Sequence, residues 1–229
     1  MAKSIDGRFG FCYSQFLGRA MVAPLGVLRQ RANSNSKVRA IDAKLRTALL
    51  ELADAVANTP PRTLRFWSEE APTLLFTDGA VENNDTEATV GGVIISPRCK
   101  GARYFGVRVP QAMLDKWQAG GLTHVVAQAE LLPIILARLT WVELLRGAWV
   151  ISFVDNEGVK AALVNGNTRA LESVELLSLA ARLEMRSGSY YWYTRVPSPS
   201  NIADGPSRLD FEFISSFSNS VRDVPIWPE

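Results

Sequence analysis

The feature that most constrains the fold is a change of hydrophobic period near residues 58–70. Ahead of it, residues 37–57 repeat apolar side chains every three or four positions, which is typical of an amphipathic helix. Beyond it, short apolar runs at 73–79, 89–96 and 102–109 are separated by turn-forming residues, which is typical of strands. The sequence therefore predicts a helical segment, 1–65, followed by a sheet-containing domain over 70–212.

The rest of this domain alternates between helix and strand. The pattern predicts helices over 125–146, 156–164 and 170–186, strands at 148–154 and 189–196, and a short turn or helix within 200–209. Three strands followed by alternation predict an α/β fold, a mixed five-stranded sheet flanked by helices, with the helical segment as an N-terminal appendage. Pro133 should lie near a first helical turn or at a kink. Residues 213–229 show little pattern and are predicted to form a C-terminal tail.

Charge is distributed unevenly along the chain. The net charge is only +2, but residues 1–65 carry eleven Lys and Arg against four Asp and Glu, a net +7 that leaves −5 for residues 66–229. A basic segment over 1–65 and an acidic remainder over 66–229 fit a protein that binds phosphates with one part and metal ions with the other. Ordinary solvated helix faces are the alternative interpretation.

Residue usage excludes several kinds of site. The single histidine, His124, argues against a histidine-based metal centre or a Ser-His-Asp triad. Cys12 and Cys99 have no metal-ligand spacing, so we expect free thiols in a reducing compartment, that is, an intracellular protein of the cytoplasm or nucleus. No apolar run is long enough to cross a membrane, and the N-terminus lacks the apolar core of a secretory signal.

Four acidic residues occupy positions that structure alone would not favour. Asp78 and Asp155 follow apolar strands, Glu130 lies on the apolar face of a helix, and Asp204 lies in the segment SNIADGPSR. Taken singly, each has an ordinary explanation as a turn residue, a helix cap or a half-exposed helix residue. Buried carboxylates are costly unless they are paired or bound to metal, and reactive groups of α/β sheets gather where strands end.

If the four carboxylates converge, their mutual repulsion would require cations. Mg²⁺ prefers oxygen ligands, and Mn²⁺ could replace it. Two such ions about 4 Å apart can hold a phosphodiester, one beside the attacking water and the other beside the leaving oxygen. The four acids therefore predict a site for two divalent ions that acts on phosphodiesters.

Four segments resemble the active-site motifs of the RNase H family: TDGA (77–80), AELLPIILA (129–137), VDNEGVKAAL (154–163) and SNIADGPSR (200–208). The likeness is greatest to RNase H domains of retrotransposon reverse transcriptases. It implies that Asp78, Glu130, Asp155 and Asp204 are the metal-binding catalytic acids. It also implies that the chain cuts the RNA strand of RNA–DNA hybrids. Residues 1–65 would then be a thumb-like or connecting segment, and the polymerase part of the same polyprotein a possible partner.

The resemblance also leaves points open. Many family members carry a histidine in the loop before the last acid, whereas residues 195–200 here contain none. Substrate contacts are expected from Gly79, Ala80, Gln128, Asn156, Arg195 and Arg208. Two alternatives to an RNase H are a non-catalytic scaffold that binds nucleic acid or protein, and another nuclease or transposase of the same fold.

Overall fold

The computed structural model describes residues 2–16, 19, 21–34, 40–58, 66–83, 85–119, 124–168 and 173–228. Among these, the side chains of residues 2 and 12–16, Cys12 included, are not described. Three helices come first: α1 (Ala2–Phe16), α2 (Val22–Asn33) and α3 (Ala43–Asn58). They share a small apolar core that includes Leu25, Leu28 and Leu52, and we call them the helical unit.

The described part of the remaining chain forms one mixed sheet of six strands. The strands are β1 (Thr73–Glu82), β2 (Glu87–Ile95), β3 (Ala102–Arg108), β4 (Trp149–Val154), β5 (Tyr190–Arg195) and β6 (Val221–Arg222), in the order β5-β4-β1-β2-β3-β6. β1, β2 and β3 are antiparallel neighbours, whereas β4 is parallel to β1 and β5 is parallel to β4. The predicted β2–β3 hairpin and the mixed α/β sheet are confirmed.

Helices flank this sheet. They are α4 (Gln111–Gln118), α5 (Val126–Thr140), α6 (Val142–Leu145), α7 (Glu157–Asn165), α8 (Val174–Ser187), α9 (Asp204–Ser207) and α10 (Glu212–Ser215). α5 is the central one, since every residue from Gln128 to Arg138 is buried. It packs on β1 and β2 and against α8, while α9 packs on β1, β2 and β3.

Three features differ from the expectations. The connector 110–122 contains α4, and the tail contains α10 and the two-residue strand β6, which pairs with β3. The tail is ordered by Asp223, which accepts hydrogen bonds from Arg103 and, at 2.7 Å, from Trp141 Nε1. Pro133 lies in the middle of α5 rather than in its first turn, and the alternative expectation, a kink at this residue, stays a prediction.

The helical unit packs on α8 through α2. Arg19 donates to Glu184 at 3.2 Å and to the carbonyl oxygen of Val164 at 2.9 Å, and Arg182 donates to Glu51 at 2.9 Å. Glu184 also lies 3.5 Å from Arg138 of α5, so the helical unit contacts a buried ion pair of the sheet-containing domain. Within the described residues, we find no helix that is both long and apolar enough to cross a membrane.

Candidate metal and active site

Three of the four predicted acids meet at one point. Asp78, Glu130 and Asp155 each offer a carboxylate oxygen, and these three oxygens lie within 4.8 Å of one another. The parallel register of β1 and β4 explains part of this, because Phe76 pairs with Phe153 and each acid follows its phenylalanine by two residues. The two rings stack at 4.3 Å, which holds the middle of β1 beside the end of β4. Asp78 therefore does not end its strand as the sequence suggested, because β1 continues to Glu82 in its pairing with β2.

Glu130 reaches Asp78 because α5 packs very close to β1. A side chain at Gly79 would place its Cβ only 2.4 Å from the carbonyl oxygen of Ala129 and 2.8 Å from the backbone nitrogen of Glu130. Proline has no N–H, so Pro133 cannot donate the helical hydrogen bond to that carbonyl. Gly79 therefore sets the distance between helix and strand that brings Glu130 beside Asp78.

Asp78 is held from the opposite face of the sheet by the segment around α9. It is 3% exposed and accepts hydrogen bonds from Ser207 Oγ and, at 3.4 Å, from Asn201 Nδ2. Two paired glycines make room for this segment: a Cβ at Gly91 would lie 2.3 Å from the Ser207 nitrogen, and one at Gly106 would lie 2.3 Å from the Pro206 carbonyl oxygen. The glycines thus let Ser207 reach the carboxylate from behind.

Two carboxylate oxygens of the cluster have no donor. Asp155 Oδ2 accepts from Ser198 Oγ at 3.0 Å, but Asp155 Oδ1 and Glu130 Oε2 are buried without a hydrogen-bond partner among the described residues. Buried polar atoms are normally satisfied, so a pair of unsatisfied oxygens in one cluster calls for a ligand that is not a protein group. Carboxylate oxygens in this arrangement fit a hard divalent cation such as Mg²⁺ or Mn²⁺.

Electrostatics lead to the same interpretation. Burial, together with the charges of Asp155 and Asp78, raises the pKa of Glu130 to about 9. Burial also raises the pKa of Asp78 to about 6; the Ser207 hydrogen bond opposes this, while the charges of Asp155 and Asp204 support it. Without a cation, the cluster therefore retains a proton near neutral pH.

Asp204, the fourth predicted acid, lies at the edge of the cluster. It begins α9, its side chain is 40% exposed, and it lies outside the group of three that meets within 4.8 Å. Its charge still raises the pKa of Asp78, so it is near enough to act on the site. Its Oδ1 accepts from Arg208 Nε at 3.3 Å.

The structure gives most of the predicted substrate-contact residues a local role. Gly79 and the buried Ala80 pack within the sheet, buried Gln128 donates to Ser173 Oγ at 3.1 Å, and Arg208 pairs with Asp204. Asn156 is the N-cap of α7 and accepts from the Val159 nitrogen at 3.1 Å. Arg195 is exposed at the end of β5, paired in register with Val154. Contact of these six with substrate stays a prediction.

Sequence reasoning missed the hydroxyl and amide groups that hold the acids: Ser207, Asn201 and Ser198. Asn201 and Ser207 belong to the segment SNIADGPSR. The glycines within strands, Gly91 and Gly106, are the sequence signal for a backbone segment that packs closely on the sheet, and that segment contains Ser207. His124 is 80% exposed in its side chain and lies 3.1 Å from Asp85.

Comparisons with known proteins give distant structural similarity. No family model and no curated protein matches the chain. Among solved structures, it is similar to RNase H1 from the halophilic archaeon Halobacterium salinarum (16% identity, TM-score 0.43, covering 62% of this chain and 99% of that one). It is similar to the N-terminal RNase H domain of a Mycobacterium tuberculosis protein fused to maltose-binding protein (14%, TM-score 0.42, 63% and 96%).

A third similar structure is an RNase H1 isolated from compost by a metagenomic approach (17%, TM-score 0.43, 63% and 99%). That protein has also been solved in complex with an RNA/DNA hybrid (15%, TM-score 0.40, 63% and 99%). At these scores, the geometry of the carboxylate cluster carries the functional inference.

Proposed function

We propose that this chain is a divalent-metal-dependent ribonuclease H that hydrolyses the RNA strand of RNA–DNA hybrids. The observation that carries the proposal is the buried cluster of Asp78, Glu130 and Asp155, with two oxygens that no protein group satisfies. Asp78, Glu130 and Asp155 would hold the cations, and Asp204, at the edge of the cluster, would complete a second position. Bound there, the cations would supply Lewis-acid stabilisation of the charge that develops on a phosphodiester.

The chain's own groups have definable tasks in this proposal. Ser207 and Asn201 orient the two oxygens of Asp78, and Ser198 orients Oδ2 of Asp155. Burial keeps bulk water from the two unsatisfied oxygens. Such preorganisation reduces the rearrangement needed when a phosphate arrives. Arg208, which donates to Asp204, would contact a phosphate oxygen in this proposal.

The proposal extends to the biological setting. The likeness of residues 200–208 to the last motif of retrotransposon RNases H supports a role within a retroelement reverse transcriptase. The helical unit ahead of the sheet would then serve as the thumb-like or connecting part, and the polymerase of the same polyprotein as a partner. Co-purification of the chain with that polymerase tests this part separately from catalysis.

The experiment that tests the activity uses end-labelled RNA–DNA hybrid, RNA duplex and DNA duplex of one sequence, each with Mg²⁺, Mn²⁺ or EDTA. We expect cutting of the RNA strand of the hybrid only, with either metal and not with EDTA. Asp78→Asn should abolish it, whereas the matched control Asp115→Asn, an exposed carboxylate on α4, should cut like the wild type.

Three results would contradict the proposal. An inactive wild type would favour a non-catalytic scaffold that retains the fold. Equal cutting by the wild type and Asp78→Asn would remove the carboxylate cluster from the reaction. Cutting of DNA duplex instead of hybrid would favour another nuclease or a transposase.

A further inference from the structure

Cationic side chains gather at one end of the helical unit. Asp6, early in α1, pairs with Arg29, late in α2, at 3.2 Å, so these helices run in opposite directions. Arg31 near the end of α2 donates to the carbonyl oxygen of Ala40, just ahead of α3. The start of α1, the end of α2 and the start of α3 therefore meet at one end. We call this end the basic tip and define it by Lys3, Arg8, Arg29, Arg31, Lys44 and Arg46.

The basic tip carries a clear excess of positive charge. Its only acids among the described residues are Asp6 and Asp42, which leaves a net +4. Lys3, Arg8, Lys44 and Arg46 are exposed, and within the described part of the chain they form no ion pair. The amino ends of α1 and α3, which carry partial positive charge, lie here beside the carboxyl end of α2, which carries partial negative charge.

The acids further along α3 are neutralised by the domain beside the helical unit. Glu51 of α3 pairs with Arg182 of α8 at 2.9 Å, and Asp54 lies 3.8 Å from Arg186. The acids of α3 thus contribute to docking, whereas its cations are left facing solvent. Docking alone does not explain the charge of the basic tip.

The direction of three helices places the basic tip on the side of the carboxylate cluster. α5 and α8 run the same way, because Gln128 contacts Ser173 at their starts and Arg138 contacts the Ala180 carbonyl further along. α3 runs parallel to α8, since Lys44 shares a groove with Val174 while Glu51 pairs with Arg182. The amino-terminal parts of α3, α5 and α8 therefore lie together, and that part of α5 carries Glu130.

We propose that the basic tip binds the phosphate backbone of the nucleic-acid duplex whose RNA strand enters the carboxylate cluster. This inference rests on the proposed function and adds a substrate-binding surface to it. Residues 66–229 carry a net charge of −5, which disfavours a polyanion. A duplex presents about one negative charge per 1.7 Å, so it requires a cationic surface beside an acidic site. The basic tip supplies that surface from outside the sheet-containing domain.

The test measures binding separately from cleavage. Anisotropy of a fluorescent RNA–DNA hybrid is titrated with the full chain in EDTA, over a range of salt concentrations. For Lys44→Gln/Arg46→Gln we expect the Kd to rise about tenfold, and the slope of log Kd against log salt to fall by about 2, since each phosphate contact contributes about 0.9. Both side chains are exposed, so the midpoint of thermal unfolding should match that of the wild type.

A matched control removes the same charges at the other end of the sheet. Lys100 lies in the β2–β3 turn and exposed Arg146 just ahead of β4, both opposite the carboxylates. Lys100→Gln/Arg146→Gln should bind like the wild type. An unchanged Kd and salt slope for the tip variant, or an equal loss in the control, would overturn the proposal. Tip-dependent binding by a chain that cuts nothing would support the basic tip and contradict only the nuclease activity.

Discussion

Replacing Glu130 with glutamine should stabilise the metal-free protein while destroying its activity. Glu130 is 6% exposed, and burial together with the neighbouring acids raises its pKa to about 9. Its ordinary value is 4.5. The folded state therefore binds the Glu130 proton more tightly than the unfolded state does. It follows that the free energy of unfolding falls as pH rises from about 4.5 to about 9.

The magnitude follows from this difference. At pH 7 the unfolded carboxyl is ionised while the folded one keeps its proton, and 2.5 pH units at 1.36 kcal/mol each give about 3 kcal/mol. Glutamine cannot ionise, so Glu130→Gln should raise the free energy of unfolding by up to about 3 kcal/mol at pH 7 in EDTA. At pH 4 the gain should vanish. Saturating Mg²⁺ should stabilise the wild type but not the variant.

The assay is urea unfolding in EDTA at pH 4 and pH 7, with Glu184→Gln as the matched control. Glu184 is also buried, but Arg19 and Arg138 pair with it. Replacing Glu184 leaves the buried guanidinium of Arg138 without its carboxylate and should lower the free energy of unfolding by about 3 kcal/mol or more. The reasoning is refuted if Glu130→Gln lowers the free energy of unfolding at pH 7, or if its gain is the same at both pH values.

Three further predictions concern groups around the cluster. Ser207→Ala removes a hydrogen-bond donor to Asp78, so the pKa of Asp78 and the acidic limb of the pH profile of kcat should move to higher pH. We expect kcat to fall at least about tenfold and KM to change little. An unshifted pH profile would show that Ser207 contributes only packing. Gly91→Ala forces a Cβ against the Ser207 backbone and should lower the free energy of unfolding by about 2–3 kcal/mol. Gly26→Ala on α2, where the space is open, should raise that free energy by up to about 1 kcal/mol. Equal effects of the two variants in urea unfolding would contradict the close packing at Gly91. Binding of Mg²⁺ at pH 7.5 should release about one proton, mainly from Glu130. Calorimetry in two buffers of different ionisation enthalpy measures this release. Release of no proton would contradict the raised pKa of Glu130.

Much of the fold and the three central acids could be predicted from the sequence. Apolar runs of strand length precede Asp78 and Asp155, and parallel neighbours in one sheet bring these positions together, although β1 itself continues past Asp78 to Glu82. Glu130 interrupts the apolar face of α5, which is an unusual place for a carboxylate. Local patterns therefore contained both the elements and the acids.

The remaining features depend on tertiary contacts that no local pattern records. Ser207 reaches Asp78 only because Gly91 and Gly106, on two other strands, leave room. β6 is two residues long and has no period to detect, and the neighbouring Asp223 is fixed by Arg103 and Trp141, far away in sequence. Pro133 is tolerated in mid-helix where the strand backbone at Gly79 packs against the Ala129 carbonyl.

The most direct test of the cation site is anomalous X-ray scattering from crystals of the chain soaked in Mn²⁺. We predict an anomalous peak within coordination distance of Asp78, Glu130 and Asp155, and its loss in Asp78→Asn crystals treated the same way. Soaked wild-type crystals with no peak at these carboxylates, or with the same peak in the variant, would contradict the claim that the three acids share a divalent ion.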